Sequence, residues 1–309
     1  MNRYQIILFI LLSHTFNSLA LKPIKFYEAR PCDYNLIYKE VVFPTSDSVL
    51  LKGWFLPAQN RIDASSQEKE AIQNKGTREY KLKDEVKRPT LIICDGDAGN
   101  MLYNIWLANA FIFNDFNVFL FDWRGFGESG DWPINEKNLV YTEFISDYHA
   151  AIDFVIRQPE VDRNNISLFG YSTGAYLSWI VALQRSDVRK VIGRGLMTDF
   201  ADFFKELSKI KDTSDIIIPQ DFPVHLLPKY SATSFNTPCF LIVGANDDRT
   251  PVWMSKEIYA NLKTEKKLWI VNKALHGGSK APEVLAEKQF FRRVRRFLVN
   301  PNDSMINPR

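Results

Sequence analysis

Ser172, His276, Asp247 and Asp248 are the side chains of this 309-residue chain whose type and setting could do covalent chemistry together. Ser172 is the centre of Gly170-Tyr171-Ser172-Thr173-Gly174, where the apolar run ISLFGY stops and the helical pattern TGAYLSWIVAL begins at once. A serine on a sharp strand-to-helix turn needs small residues two places before and after it, because the backbones crowd there. Such a turn lifts Oγ to the edge of a sheet. It also places the next amide, Thr173, at a helix N-terminus, where an N–H without an intrahelical acceptor can stabilise an oxyanion. A hydroxyl is a poor nucleophile until a base accepts its proton. Of the four histidines, His14 falls in the apolar N-terminal segment, His149 in a helical pattern and His225 in an irregular region. His276 follows the strand-like KKLWIVN in the loop KALHGGSK, where an imidazole can reach across a sheet edge. An acid should orient that imidazole and stabilise its cation, and GANDDRTP supplies Asp247 or Asp248 after another apolar run. Serine, acid and histidine thus occur in an order known for one hydrolase architecture, each after a separate strand. Taken singly, each motif has a plainer reading: a helix start made of small residues for close packing, and a surface histidine.

Elements capable of holding these residues run through the chain. The β-rich runs YKEVVF, LLKGWFL, TLIIC, NVFLFDW, ISLFGY, VRKVIGRGLM, CFLIVG and KLWIVN are mostly separated by segments with apolar residues every three or four places. That alternation predicts a mostly parallel sheet covered on both faces by helices. The first two runs, joined by PTSDSV, suit an antiparallel hairpin at the sheet edge. Two segments break the rhythm. Residues 58–88 are charged and rich in Gln and Asn, a solvated insertion expected to lie away from the C-terminal strand ends where sites form in such sheets. Residues 199–237 carry Phe200, Phe203, Phe204, Leu207, Phe222 and Leu227, and suit a small cap over an apolar pocket. The last helix places Phe290, Phe291, Val294, Phe297 and Leu298 on one stripe against a face of arginines. The stripe suits packing on the sheet, and the basic face leaves room for contact with an anionic membrane surface.

Composition narrows the function classes. A hydrophobic share of 46%, a charged share of 24% and a net charge of +3 describe an ordinary globular chain with no indicated nucleic-acid partner. The cysteines, Cys32, Cys94 and Cys239, are odd in number, and two lie inside apolar runs, so a disulfide framework is not expected. The scattered histidines offer no metal-ligand spacing. Residues 1–20, MNRYQIILFILLSHTFNSLA, have the layout of a secretory signal peptide: Arg3, an apolar run from Ile6 to Leu12, then Ser18 and Ala20. At ~1.5 Å per helical residue that run spans about 10 Å of a bilayer core of roughly 30 Å. It therefore reads as an export signal, cleaved or kept as an anchor, leaving 21–309 as one domain that is secreted or periplasmic.

With these motifs together, the chain resembles the α/β-hydrolase superfamily from about Tyr38 to Val299. GYSTG is similar to its nucleophile turn, GANDDRTP to its acid loop and LHGG to its histidine loop. FDWRGFGESG, residues 121–130, resembles the turn after the fourth strand in members active on acyl esters, thioesters and monoacylglycerols. The resemblance implies an α/β-hydrolase fold: an eight-stranded, mostly parallel sheet with the second strand antiparallel, helices on both faces and a small cap. It also implies that Asp247 rather than Asp248 is the acid, that Asp122 and Arg124 are scaffold, and that no cofactor or metal is needed. The loop after the third strand, which in that subgroup ends in His-Gly-Asn or His-Gly-Gly, here reads Asp95-Gly96-Asp97. The second oxyanion donor would then be the Asp97 backbone N–H, beside that of Thr173. An ionised Asp97 pointing inward would cancel a donor, so its carboxylate must turn away, be protonated, or be paired with Arg124 or Arg249.

The function expected is hydrolysis of a carboxylic ester or acyl thioester, from a small-molecule or lipid substrate with a hydrocarbon portion, through a Ser172, His276, Asp247 triad. Two other readings compete. LIICDGD also resembles the first motif of haloacid-dehalogenase-type phosphatases, with Asp95 as nucleophile beside magnesium and GANDD as the acidic pair; Gly99 stands where that motif wants Thr or Val. The unusual aspartates also allow a non-catalytic α/β scaffold that binds an apolar ligand or a partner.

Overall fold

The computed structural model describes residues 20–61 and 80–299. Eight strands form the central sheet: β1 (Lys39–Pro44), β2 (Leu50–Leu56), β3 (Arg88–Cys94), β4 (Asn117–Phe121), β5 (Val161–Tyr171), β6 (Val188–Arg194), β7 (Cys239–Gly244) and β8 (Lys266–Val271). Their order across the sheet is β8-β7-β6-β5-β3-β4-β2-β1. Every pairing is parallel except those of β2, which runs antiparallel to both β1 and β4. This is the architecture that the sequence and its resemblance imply.

Central strands read as unbroken apolar runs because both faces are covered. In β3, Leu91 and Ile93 belong to one core cluster while Ile92 and Cys94 belong to the other. In β4 the same division separates Val118 and Leu120 from Phe119 and Phe121, as the two-residue period of a strand requires. Helices α1 (Ile105–Ile112) and, at the end of the chain, α6 (Glu287–Leu298) cover the first face. Phe290, Phe291, Val294, Phe297 and Leu298 of α6 are buried, while Arg292, Arg293 and Arg296 face solvent. Helices α2 (Phe144–Ile156) and α3 (Thr173–Gln184) cover the second face, with α5 (Val252–Asn261) between β7 and β8.

The cap expected over 199–237 begins with α4 (Phe200–Leu207), started by the Asp199 carboxylate accepting the Asp202 amide at 2.7 Å. Its aromatic side chains leave little open pocket. Phe200, Phe203, Leu207, Phe222 and Leu227 are buried, and Phe200 packs edge-on against Phe222 at 5.1 Å and against Tyr176 of α3 at 5.8 Å. Trp179 of α3 fastens the cap's far side by donating to Ser231 at 2.8 Å.

Of the 58–88 insertion, only its two ends fall within the described residues. Gln59–Arg61 pairs antiparallel with Tyr80–Leu82, with Arg61 opposite Tyr80. The Ala58 amide is held by Asn117 at the start of β4, the end of the sheet away from Ser172. One further pairing has no counterpart in the sequence reading: Lys22–Pro23 lies parallel to Ala98–Gly99, in the loop that follows β3. Of residues 1–20, read from sequence as an export signal, all but Ala20 lie outside the described residues.

Candidate active site

Ser172 stands between β5 and α3 with φ 52° and ψ −114°, a backbone conformation that L-residues other than glycine rarely adopt. Neighbouring glycines permit it. A Cβ on Gly170 would lie 2.3 Å from the Gly174 carbonyl oxygen, and one on Gly174 would lie 2.2 Å from that of Asp95. The turn is pinned on its other side by the Ser172 amide, which donates to Arg194 O at 2.9 Å. Thr173 is the first residue of α3, so its N–H has no carbonyl one turn back to bond.

The structure brings Ser172, Asp247 and His276 together. His276 Nε2 lies 3.1 Å from Ser172 Oγ, and Nδ1 lies 2.9 Å and 3.0 Å from the two carboxylate oxygens of Asp247. Both His276 and Asp247 are buried, whereas Asp248 faces solvent. Burial opposes the charge on Asp247, but the His276 imidazole, the Thr250 amide and the Arg194 guanidinium outweigh it and hold the carboxyl below the usual carboxylate range. The other described histidines stand elsewhere: His149 is on α2, bonded to Gln184 at 2.9 Å, and His225 is in the cap.

Residues not singled out from the sequence complete this arrangement. Thr250 donates its amide to Asp247 Oδ1 at 2.8 Å and its hydroxyl to Oδ2 at 3.0 Å, so the carboxylate has one orientation. Gly195 has φ 67°, and a Cβ there would stand 3.0 Å from His276 Cε1. Arg194, buried at the end of β6, donates to the carbonyl of His276 and grips Glu283 through Nε at 2.9 Å and Nη2 at 2.6 Å. Its guanidinium also lies 4.0 Å from the Tyr171 ring centroid. A buried cation thereby fixes the loop carrying the imidazole. An arginine inside an apolar strand was the available signal.

Asp97 and Thr173 line one cavity with Ser172, Tyr176, Met197 and Phe203. Its volume is about 10 Å³, room for little more than one water. Burial pushes the Asp97 carboxyl above its ordinary range, while the charges of Arg249 and His276 pull the other way. Of the two arginines expected as partners, Arg249 is the one whose charge Asp97 senses. Arg124 is committed elsewhere: it donates to Asp147 at 2.8 Å and to Asp47 at 2.5 Å, fully buried beneath the turn after β4, which corrects the expectation that it could pair with Asp97. Asp122 is likewise scaffold, accepting the Met101 amide at 2.7 Å and bonded by Tyr27. Asp95 Oδ1 accepts the Gly96 amide at 2.8 Å, and its buried Oδ2 has no hydrogen-bond partner. Burial, with a smaller contribution from the neighbouring Asp122, pushes Asp95 up to about 8. The phosphatase reading needs Asp247 and Asp248 as an acidic pair beside Asp95, but Asp247 is engaged by His276 and Thr250 while Asp248 faces solvent.

The chain is similar to several known proteins. Residues 104–300 match the profile of the prolyl oligopeptidase family, Peptidase_S9. The uncharacterized protein YfhR of Escherichia coli K12 is 27% identical over 240 residues, covering 77% of this chain and 73% of that one. Among solved structures, an esterase of Pyrococcus furiosus superposes with a TM-score of 0.66 at 20% identity, covering 90% of this chain and 97% of that one. An acylaminoacyl peptidase of Pyrococcus horikoshii superposes with a TM-score of 0.62 at 18% identity, covering 85% of this chain and 41% of that one. With the profile spanning well over half of its length and the strand order around it, the chain belongs to the prolyl oligopeptidase family of α/β hydrolases.

Proposed function

We propose that this protein is a serine hydrolase that cleaves carboxylic esters or acyl thioesters by acyl transfer to Ser172. The observation that carries the reading is the continuous line from Ser172 Oγ through the His276 imidazole to the Asp247 carboxylate, with every contact at 3.1 Å or less. In this reading His276 Nε2 accepts the proton of Ser172 as Oγ attacks the acyl carbon, and Asp247 stabilises the imidazolium. The amides of Thr173 and Asp97 receive the negative charge on the carbonyl oxygen. His276 then protonates the leaving alcohol or thiol, and the acyl-enzyme is opened by water along the same route in reverse.

The narrow space beside Ser172 favours a short acyl group, since a longer one needs Phe203 and the cap to move aside. Cleavage of an amide is a second reading, favoured by the family match, whose name is that of a peptidase. Export of the chain rests on residues 1–20 alone, and separating culture medium, envelope and cytosol by immunoblot tests it.

A series of p-nitrophenyl esters from acetate to laurate, with alanine p-nitroanilide alongside, tests the function on wild type, Ser172→Ala and His276→Ala. Ester turnover in wild type, reduced at least about a thousandfold in both variants, is the expected outcome. Equal background rates in all three proteins, with no fluorophosphonate labelling of Ser172, would leave the non-catalytic scaffold as the better account.

A further inference from the structure

The loop that carries Asp97 is soft by composition. Residues 95–99 read Asp-Gly-Asp-Ala-Gly; Gly99 takes φ 97°, and Gly96 can occupy more backbone conformations than any other residue type. An oxyanion donor is effective when it is already aimed, so a loop of this kind needs bracing from outside.

The brace in this structure is the segment just after residue 20. The Lys22 amide donates to Asp97 O at 2.8 Å, and the Ile24 amide donates to Gly99 O at 3.0 Å. The segment is itself anchored to the body of the molecule at separate points. The Leu21 amide donates to Asn138 O at 3.1 Å, and the Leu21 side chain is fully buried. The carbonyl of Ile24 accepts the Gly127 amide at 3.1 Å and the buried Asn100 carboxamide at 3.1 Å, while Phe26 O accepts Asn100 at 2.8 Å. A strut fixed independently of the loop can hold the loop.

We propose that the backbone N–H of Lys22 is a positioning group for the active site: by pinning the carbonyl of Asp97 it fixes the peptide plane between residues 97 and 98, restrains the backbone on that side of Asp97, and so limits the swing of the Asp97 N–H. The inference rests on the hydrolase reading above. It assigns the role to the amide and none to the lysine side chain.

Two substitutions separate these contributions. Lys22→Pro removes the donor; Pro23 already biases residue 22 to the extended region, so a proline fits the strand. Lys22→Ala keeps the donor. Loss of one complete oxyanion donor costs roughly 10²–10³-fold in kcat, and a loosened donor should cost part of that. We expect kcat of Lys22→Pro on p-nitrophenyl acetate to fall roughly ten- to a hundredfold, KM to stay within about threefold, and Lys22→Ala to match wild type. Deuterium exchange of the peptide covering residues 95–100 should be faster in Lys22→Pro and unchanged elsewhere, a readout that needs no activity. If Lys22→Pro does not fold by circular dichroism, Asn100→Asp replaces it, keeping the acceptor for the Leu102 amide and removing the donors to Ile24 and Phe26.

Exchange and kcat both equal to wild type would overturn the brace. Faster exchange with unchanged kcat would overturn the positioning role while leaving the contact real. A wild type with no esterase activity but with faster local exchange in Lys22→Pro would sink the hydrolase reading and leave the strut standing.

Discussion

In the proposed reaction Asp97 is the residue whose chemistry sits least easily with its position, because a carboxylate beside a developing oxyanion would oppose it. Burial eases the conflict by raising the pH at which Asp97 ionises, so the neutral form persists to higher pH than for an ordinary aspartate. The sign is then set: activity should fall as pH rises through the raised ionisation of Asp97, and Asp97→Asn should not show that fall. Above that ionisation the variant is expected to be roughly tenfold more active than wild type, well within the ~4 kcal/mol that two unit charges feel at 4 Å and an effective dielectric near 20. A pH–rate profile in which the variant falls in parallel with wild type would refute this. Ser172 and His276 were legible in sequence because glycines and strand ends mark them. Thr250 and Arg194 were not, since one is a common loop residue and the other acts through a backbone carbonyl on a distant strand connection. Asp247 was separated from Asp248 by resemblance, and the physical reason is burial against His276.

At the scale of elements, the segment expected as a cap reaches the cavity beside Ser172 through Phe203. Its phenylalanines suggested a lined pocket, yet most of their surface packs against α3 and against one another. Periodicity marks which residues are buried, but not whether a ligand or another side chain buries them. Phe203 borders the cavity itself, so Phe203→Ala should open space there and move the best p-nitrophenyl ester from two- to four-carbon acyl chains toward six to eight carbons, at a stability cost of about 3–5 kcal/mol if the cap does not collapse. An unchanged chain-length profile in a folded variant would show that the acyl group lies elsewhere. The parallel strands were readable because double burial makes them continuously apolar. The Lys22–Pro23 strand was not, being two residues long and paired with a loop rather than with the main sheet.

For the whole molecule, buried carboxyls set the pH range of stability. Burial pushes Asp95 up to about 8, and burial together with its surroundings places Asp122 at about 7. A raised pKa means the folded chain holds a proton that the unfolded chain has released. The contribution is therefore complete below about pH 4 and is lost as pH rises through about 7 to 8. Asp47 and Asp84, held down at about 2 through hydrogen bonds from Arg124 and Arg88, act oppositely and lose their contribution as pH falls below about 4. The melting temperature should thus peak at mildly acidic pH and fall by several degrees, about 5 °C or more, between pH 6 and 9. Asp95→Asn should flatten that fall; calorimetry of the two proteins from pH 5 to 9 decides it. This balance was invisible in the composition, which gives a net charge of +3 and no account of which acids are buried.

The small pairing of Gln59–Arg61 with Tyr80–Leu82 makes this molecule accommodating to protein engineering. Because Arg61 and Tyr80 already face each other as strand partners, whatever joins them has only to close a gap that the hairpin has brought to its minimum width. Replacing residues 62–79 with Asn-Gly, a favoured two-residue hairpin turn, should leave any rate measured on p-nitrophenyl acetate unchanged and alter stability by only about 1–2 kcal/mol. The same position should accept a grafted affinity tag or reporter domain, giving a handle on the molecule that leaves both chain termini untouched. A loss of soluble protein on that exchange would refute the prediction.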